Sequence, residues 1–224
     1  MSGARRITRA RKGMANTNAP FGLRFIGLQG SPVTNASLAE KRNGIIYSNT
    51  EAIYTGDLIR RSTDGYIYQW DAGTAVSQCL GVFAGCRYAS NSQQTIVPQK
   101  YWPGTDAASG TVLAQYVPSQ LAPAPLFVIQ TDSTGITLAD VGLNADIAVG
   151  SGSTTTGFSG SYLNVATLST TNTLPLRVVD LWADYSMGNW PEGAGGSSSL
   201  AAGTQAGAYN WAVVAINSMG TTGL

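Results

Sequence analysis

Residues 52–70, AIYTGDLIRRSTDGYIYQW, decide the fold class of this chain. β-Branched and aromatic residues, which favour strands, recur in 52–61 and predominate in 66–70. Between these two runs, Asp64 and Gly65 supply the positive φ angles that a tight hairpin turn needs. The stretch therefore predicts an antiparallel β-hairpin.

The rest of the chain repeats this pattern of short apolar runs separated by turn residues. The pattern is typical of many short strands and not of amphipathic helices. The further predicted strands are 78–88, 95–102, 110–117, 126–131, 162–168, 174–182 and 210–216. We expect an all-β fold of about ten strands.

Three other segments are assigned from their composition and spacing. In 138–149 the apolar residues do not alternate strictly, which predicts a short helix that Gly142 weakens by about 1 kcal/mol relative to Ala. Gly, Ser, Thr and Ala dominate 150–160 and 192–207, which are predicted to be long loops.

Charge divides the chain into a basic arm and a mildly acidic body. Five cations lie in the first thirteen residues: Arg5, Arg6, Arg9, Arg11 and Lys12. Eight basic and twelve acidic residues remain from Met14 onward, so the body carries about −4. We therefore expect an extended basic arm at 1–13, an extended N-terminal segment at 14–44 and a β-rich body at 45–224. A subdivision of the body near 135–160 is left open.

Composition excludes several classes of chemistry. The chain of 224 residues has no histidine, so Ser/His/Asp triads and His-ligated metal sites are excluded. Charged residues make up 11% of the chain, against about 25% in an average soluble domain. We therefore expect no catalytic residues, no cofactor and no metal. We also expect no membrane span, because no run approaches the roughly 20 apolar residues that a membrane helix needs.

Three patterns resemble chemical motifs but have simpler interpretations. Asp180 and Asp184 would stand about 13 Å apart along a strand, too far for a pair of glycosidase carboxylates. The Gly-rich run 150–157 lacks the lysine of a phosphate-binding loop. Cys79 and Cys86 are seven residues apart, so along an uninterrupted strand they face opposite sides of the sheet. A disulfide would need a bulge at Gly81 or Gly85, and two buried free thiols are the preferred interpretation.

Aromatic residues are numerous enough to suggest stacking on sugars or bases. Trp and Tyr also serve β-cores and subunit interfaces, and the few nearby cations make a nucleic-acid groove improbable. We therefore assign to core and interface positions Trp70, Trp102, Trp182, Trp190, Trp211, Tyr47, Tyr54, Tyr66, Tyr68, Tyr88, Tyr101 and Tyr116.

The basic arm is the candidate partner-binding element. Its five cations could neutralise phosphates with release of counterions, or dock along an acidic groove of another protein. The sequence does not separate these two partners, and a solvated tail is the third alternative.

Several phrases together resemble tailed-bacteriophage virion structural proteins of the capsid decoration, or cement, type. They are MANTNAPFGLR at 14–24, LGVFAGCRY at 80–88, YWPG at 101–104, VGLNAD at 141–146, the Gly-rich run 150–160 and LPLRVV at 174–179. The resemblance covers most of 14–224, and the basic leader before Met14 lies outside it.

The resemblance implies a β-barrel or jelly-roll-like protein that forms homotrimers. Such a protein would be made in the bacterial host cytoplasm, bind the outside of an icosahedral head and bridge neighbouring major capsid proteins. Two other hypotheses remain. One is another virion component at the head–tail junction, tail or fibre, and the other is a glycan-binding module or glycan hydrolase that uses Trp and Asp residues.

Overall fold

The structure is a computed structural model that describes residues 16–30, 38–42, 44–182 and 207–217. Two single-turn 3-10 helices cover Val76–Gln78 and Leu138–Asp140. Within the described ranges the strands are β1 (Arg24–Leu28), β2 (Ala39–Arg42), β3 (Ile53–Tyr54), β4 (Leu58–Arg61), β5 (Ile67–Gln69), β6 (Cys79–Ala89), β7 (Ile96–Gln99), β8 (Tyr101–Trp102), β9 (Leu113–Pro118), β10 (Pro125–Gln130), β11 (Asn144–Ala148), β12 (Tyr162–Ser169), β13 (Leu176–Leu181) and β14 (Trp211–Ile216).

These strands form two large antiparallel sheets and one small pair. Sheet A has the order β1-β10-β14-β13-β11-β12. Sheet B has the order β2-β9-β6-β4-β5, with β7 paired to the far end of β6, and β3 pairs with β8. One isolated bridge from Thr131 to Leu163 brings β12 towards the end of β10 without closing a barrel. The all-β expectation is confirmed as a sandwich.

The core has two parts, one on each face of sheet B. The first part joins the inner face of sheet A to Leu58, Val82 and Val117 of sheet B. The second part lies on the opposite face, where Ile59 and Phe83 pack under the β3–β8 pair. Neighbouring residues of a strand point to opposite faces, so Leu58 and Ile59 enter different parts of the core. Sheet B is therefore buried on both faces.

The hairpin at 52–70 is confirmed in outline and corrected in two details. The predicted strand 52–61 is interrupted at Gly56 and Asp57, because the backbone N–H of Tyr54 donates to the Asp57 carboxylate and turns the chain. Of the two turn residues only Gly65 has a positive φ, at 85°. Asp64 instead accepts hydrogen bonds from the backbone N–H of Tyr66 and the hydroxyl of Tyr68.

The short helix predicted at 138–149 is wrong. A single 3-10 turn ends at Asp140, Gly142 takes a φ of 93°, and β11 follows. Leu138 and Val141, which gave the helical spacing, are exposed, so the spacing did not mark one buried face.

The other strand predictions are confirmed within a few residues, except that 95–102 is divided into β7 and β8. Sequence reasoning missed β1, β2 and β11. The segment 150–160 is a loop apart from one bridge residue, as predicted. The predicted loop at 192–207 lies outside the described residues except for Gly207.

Candidate functional site

An apolar cavity of about 580 Å³ lies at the edge of the sandwich, where β1 approaches β6 and β9. Its walls come from the N-terminal segment, from both sheets and from the Gly-rich loop. The principal apolar side chains are those of Phe21, Leu23, Val82, Val117, Phe127 and Phe158. Arg24 and Leu38 also line the cavity and are exposed, so they mark the side on which it opens.

Two cations lie beside the ring of Phe158, and one of them, Arg24, belongs to the lining of the cavity. The guanidinium carbon of Arg24 lies 4.4 Å from the ring centre of Phe21 and 5.3 Å from that of Phe158. The ammonium nitrogen of Lys100 lies 5.4 Å from the ring centre of Phe158. Cation–π attraction at such distances holds the charges in place without neutralising them. Within the described ranges the one ion pair is Arg87 with Glu40, at 3.9 Å, so Arg24 and Lys100 have no carboxylate partner there.

Aromatic side chains continue from the cavity towards the start of β14. Phe21 meets Trp211 edge to face, with ring centres 4.9 Å apart. The ring centres of Trp211 and Trp182 are 6.4 Å apart, and both indoles are half-buried. We call Trp182, Trp211, Phe21, Arg24, Phe158 and Lys100 the aromatic–cation row.

The Gly-rich loop, residues 150–160, positions Phe158 by main-chain contacts. Thr55 and Phe158 form an isolated parallel bridge, in which Thr55 N donates to Gly157 O at 3.0 Å and Ser159 N donates to Thr55 O at 2.9 Å. At Gly152 an added Cβ would lie 2.2 Å from the ring of Tyr54, so only glycine allows the loop to approach that ring. The glycines therefore serve close packing, and a strand, β12, follows the run instead of a helix.

A buried carboxylate, that of Asp57, supports the wall of the cavity that the Gly-rich loop forms. Asp57 accepts hydrogen bonds from Tyr54 N at 2.8 Å, from Gln69 Nε2 at 2.8 Å, and from the hydroxyls of Ser159 and Ser161. Burial raises the pKa of Asp57 above its ordinary value, and these hydrogen bonds oppose that rise. Asp57 thus joins the β3–β4 turn, β5 and the Gly-rich loop behind the cavity.

The N-terminal segment is fixed across sheet A before it reaches the cavity. Gln130 accepts from Ala19 N at 2.9 Å and donates to Thr17 O at 2.8 Å. Asn16 Nδ2 donates to Ala208 O at 3.1 Å, and Leu23 N donates to Gly56 O at 2.8 Å. The chain therefore runs along a defined path from Asn16 to β1.

The residues that the sequence singled out do not form one site. Arg5, Arg6, Arg9, Arg11 and Lys12 lie outside the described residues, as does Asp184. Asp180 makes a local contact, accepting from Leu181 N at 2.8 Å.

The two cysteines are free and buried in different parts of the core, which confirms the preferred interpretation. Burial raises the pKa of both thiols to about 12. They are therefore poor nucleophiles at neutral pH.

The aromatic assignments divide between core and surface. Trp70, Trp102 and Tyr88 are buried, and Trp102 donates its indole N–H to Asn49 O at 3.1 Å. Tyr47 is exposed, and Trp190 lies outside the described residues. Core positions are thus confirmed for part of the set, and an interface role for the others stays a prediction.

Sequence reasoning missed the cavity, its cations and Asp57. One signal was available: the body has only eight basic residues, and Arg24 and Lys100 each lie within three residues of an aromatic residue along the chain. Their convergence on Phe158 depends on the fold.

The fold and the site define a two-sheet β-protein with an open apolar cavity flanked by cations. Comparison with models of known protein families, with curated proteins and with solved structures gives no match. In the part of the chain that the structure describes, no helix is long and apolar enough to cross a membrane, and no three His, Cys, Asp or Glu side chains group as metal ligands.

Proposed function

We propose that this chain is a bacteriophage capsid decoration protein. In this proposal it forms a homotrimer on the outer surface of the head and bridges neighbouring major capsid proteins without catalysing a reaction. The support is the sequence resemblance over 14–224, the low content of charged residues and the two-sheet fold. Small polar and apolar surface residues lose little side-chain entropy when they are immobilised against a partner, which suits permanent assembly.

The observation that carries the proposal is the fixed path of the N-terminal segment. Hydrogen bonds hold Asn16, Thr17 and Ala19 on the body, which fixes Asn16 at a defined point beside β10 and β14. The eleven residues from Asn16 back to Arg5 span at most roughly 36–40 Å when fully extended. Such a reach allows the arm to contact a subunit next to the one under the body.

Trimer formation would strengthen each weak contact. Once one subunit of a trimer is bound, the remaining contacts form at a high effective concentration, so total affinity can exceed that of one contact by orders of magnitude. The arm supplies the salt-sensitive part of this binding, since salt screens its five charges.

The test uses phage heads that lack this protein, mixed with the purified full chain. We expect saturable binding at fixed sites on the outer surface, three copies around a threefold axis, and particles that resist heating better than bare heads. A chain that remains monomeric and leaves heads bare at high concentration would refute the proposal. Density found only on tails would replace it with the tail-component hypothesis.

The role of the arm is tested separately. A variant that lacks residues 2–13 and a full-length variant with all five arm cations replaced by glutamine should both show reduced occupancy on heads. The glutamine variant keeps the length of the arm and so isolates its charge. Unchanged occupancy for both variants would exclude the arm as an anchor while leaving the body as the binding element.

A further inference from the structure

We propose that the cavity beside Phe158 is a docking site for a partner-protein segment that carries a large apolar side chain next to a carboxylate. The inference goes beyond the proposed function, because it depends on the cavity and its cations alone. It applies whether or not the partner is a capsid protein.

The cavity is large enough and apolar enough for such a side chain. Its volume of about 580 Å³ falls within the range of ligand sites, about 300–1,000 Å³. Among the lining residues, the half-buried Phe25 and Phe158 and the exposed Leu38 offer apolar contact to whatever enters, because Leu23, Val82 and Phe127 are buried.

The charge of Arg24 at the opening, with Lys100 beside the same Phe158 ring, selects an acidic neighbour for that side chain. Arg24 and Lys100 both lie beside Phe158 and have no carboxylate partner among the described residues, although the body as a whole carries about −4. Arg24 is held between the rings of Phe21 and Phe158, so little rotamer entropy is lost when it pairs with a carboxylate. A cationic ligand would be repelled here.

The shape of the surrounding surface favours a protein segment over a small amphiphile. The aromatic–cation row extends the apolar surface beyond the cavity through Trp211 to Trp182. Aromatic residues are enriched in protein interfaces, where their large side chains bury apolar area. An extended segment that inserts one side chain into the cavity would lie along this row, whereas a single alkyl chain would leave the row uncovered.

The test is an NMR titration of the full chain with three capped dipeptides. The first is phenylalanyl-aspartate, the second is phenylalanyl-asparagine, which removes the charge, and the third is alanyl-aspartate, which removes the large side chain. We expect shifts at Thr55, Gly56 and Val82, the tightest binding by phenylalanyl-aspartate, and a preference of about fivefold over phenylalanyl-asparagine, the size expected for an exposed ion pair.

Variants separate the charge from the cavity. The double variant Arg24→Gln and Lys100→Gln should bind both phenylalanyl dipeptides equally, and the exposed Arg177→Gln should keep the native preference. Ala84→Leu, which adds bulk at a half-buried position of the lining, should weaken binding of both phenylalanyl dipeptides. Thermal unfolding of each variant establishes that it is folded, and the exposed Arg24 and Lys100 can be replaced even if Ala84→Leu fails to fold.

Several results would overturn the proposal. They are equal affinity for the aspartate and asparagine dipeptides, shifts confined to residues away from the cavity, or a preference that survives in the double variant. Fatty acid extracted in stoichiometric amount from the purified chain, and lost in Ala84→Leu, would identify an amphiphile as the occupant instead. Because no capsid is used, failure here and failure of head binding are independent results.

Discussion

Replacing Asp57 with asparagine is expected to leave the stability at pH 7 within about 1 kcal/mol of the native value. Asp57 uses Oδ2 to accept from Tyr54 N and Gln69 Nε2, and Oδ1 to accept from Ser159 and Ser161. An asparagine can keep its oxygen towards the first two donors and turn its amide towards the two hydroxyls, which can rotate and accept. Removal of a buried charge further offsets the weaker hydrogen bonds.

Alanine at this position has no such compensation. The Tyr54 N–H loses its acceptor in a buried turn, and the two serine hydroxyls and the Gln69 amide lose theirs. A buried unsatisfied donor costs about 1–3 kcal/mol, and the hydroxyls can partly satisfy one another. We therefore expect Asp57→Ala to destabilise the protein by about 2–4 kcal/mol, and to loosen the wall of the cavity that carries Phe158.

The pH dependence of the free energy of unfolding tests the burial of Asp57 more directly. Burial raises the pKa of Asp57 in the folded state above its value of 3.8, so the folded state binds the proton at a pH where the unfolded state does not. Stability then rises as pH falls through the raised pKa. The gain is about 1.4 kcal/mol for each pH unit between the pKa of Asp57 in the folded state and that in the unfolded state. The native protein should thus gain stability relative to Asp57→Asn on acidification.

The assay is urea unfolding followed by tryptophan fluorescence at pH 7 and pH 4.5. Carboxylates common to both proteins cancel in the difference between native and Asp57→Asn. The matched control is the exposed Asp64, whose pKa is lowered by the hydrogen bonds from Tyr66 and Tyr68. For that residue the native protein loses stability relative to Asp64→Asn only as pH falls below the ordinary pKa of 3.8, so the difference should stay nearly constant between pH 7 and pH 4.5. A native-to-Asp57→Asn difference that stays constant, or shifts in favour of asparagine at pH 4.5, would refute the reasoning.

Three further outcomes are expected. Gly81→Ala should destabilise the protein by about 3 kcal/mol or more in urea unfolding, because a Cβ there would lie 2.0 Å from a carbonyl oxygen of β9 and the φ of 149° is strained for any other residue. The thiols of Cys79 and Cys86 should react with a disulfide reagent at neutral pH only after denaturant is added; rapid reaction of the folded chain would contradict their burial. Gln130→Ala should cost about 2–3 kcal/mol through its lost hydrogen bonds and speed proteolytic cleavage of the N-terminal segment, and an unchanged cleavage rate would show that this segment is held by other contacts.

The cysteine positions illustrate how far alternation along a strand predicts the fold. Two residues seven apart face opposite sides of an uninterrupted strand, and a bulge at Gly81 or Gly85 would bring them together. The structure has a register shift near each glycine, one against β4 and one against β9. Two shifts cancel, so Cys79 and Cys86 remain on opposite faces. The odd spacing of the two cysteines therefore predicted correctly that they face opposite sides of the sheet, although two register shifts interrupt the strand.

Other differences from the predictions had local signals that apolar spacing alone does not weigh. Gly56 and Asp57 are both depleted in strands, and together they mark the turn that divides the predicted strand 52–61. In the predicted helix, Thr137 and Asp140 form a capping box around a single turn, which Gly142 then ends. Glycine and short polar residues fixed these boundaries more strongly than the apolar residues around them.

The candidate site could not be predicted from spacing, because its parts are distant in sequence. Phe21 and Arg24 come from the N-terminal segment and β1, Lys100 precedes β8, and Phe158 lies in the Gly-rich loop. Hydrogen bonds from Leu23 N to Gly56 O, from Thr55 N to Gly157 O and from the Thr55 hydroxyl to Lys100 O bring the three regions together. These contacts form only in the folded chain, between residues distant in sequence, so they leave no periodic signal in the sequence.

The two proposed binding elements differ in the force on which each depends, and this difference makes them separable. Five charges on the arm act through long-range attraction, which salt screens over about 8–10 Å at physiological strength. The cavity acts chiefly through burial of apolar surface, which salt of this strength leaves almost unchanged. A partner held by both would therefore lose affinity with added salt down to a plateau set by the cavity, and Ala84→Leu would lower that plateau without removing the salt-dependent part.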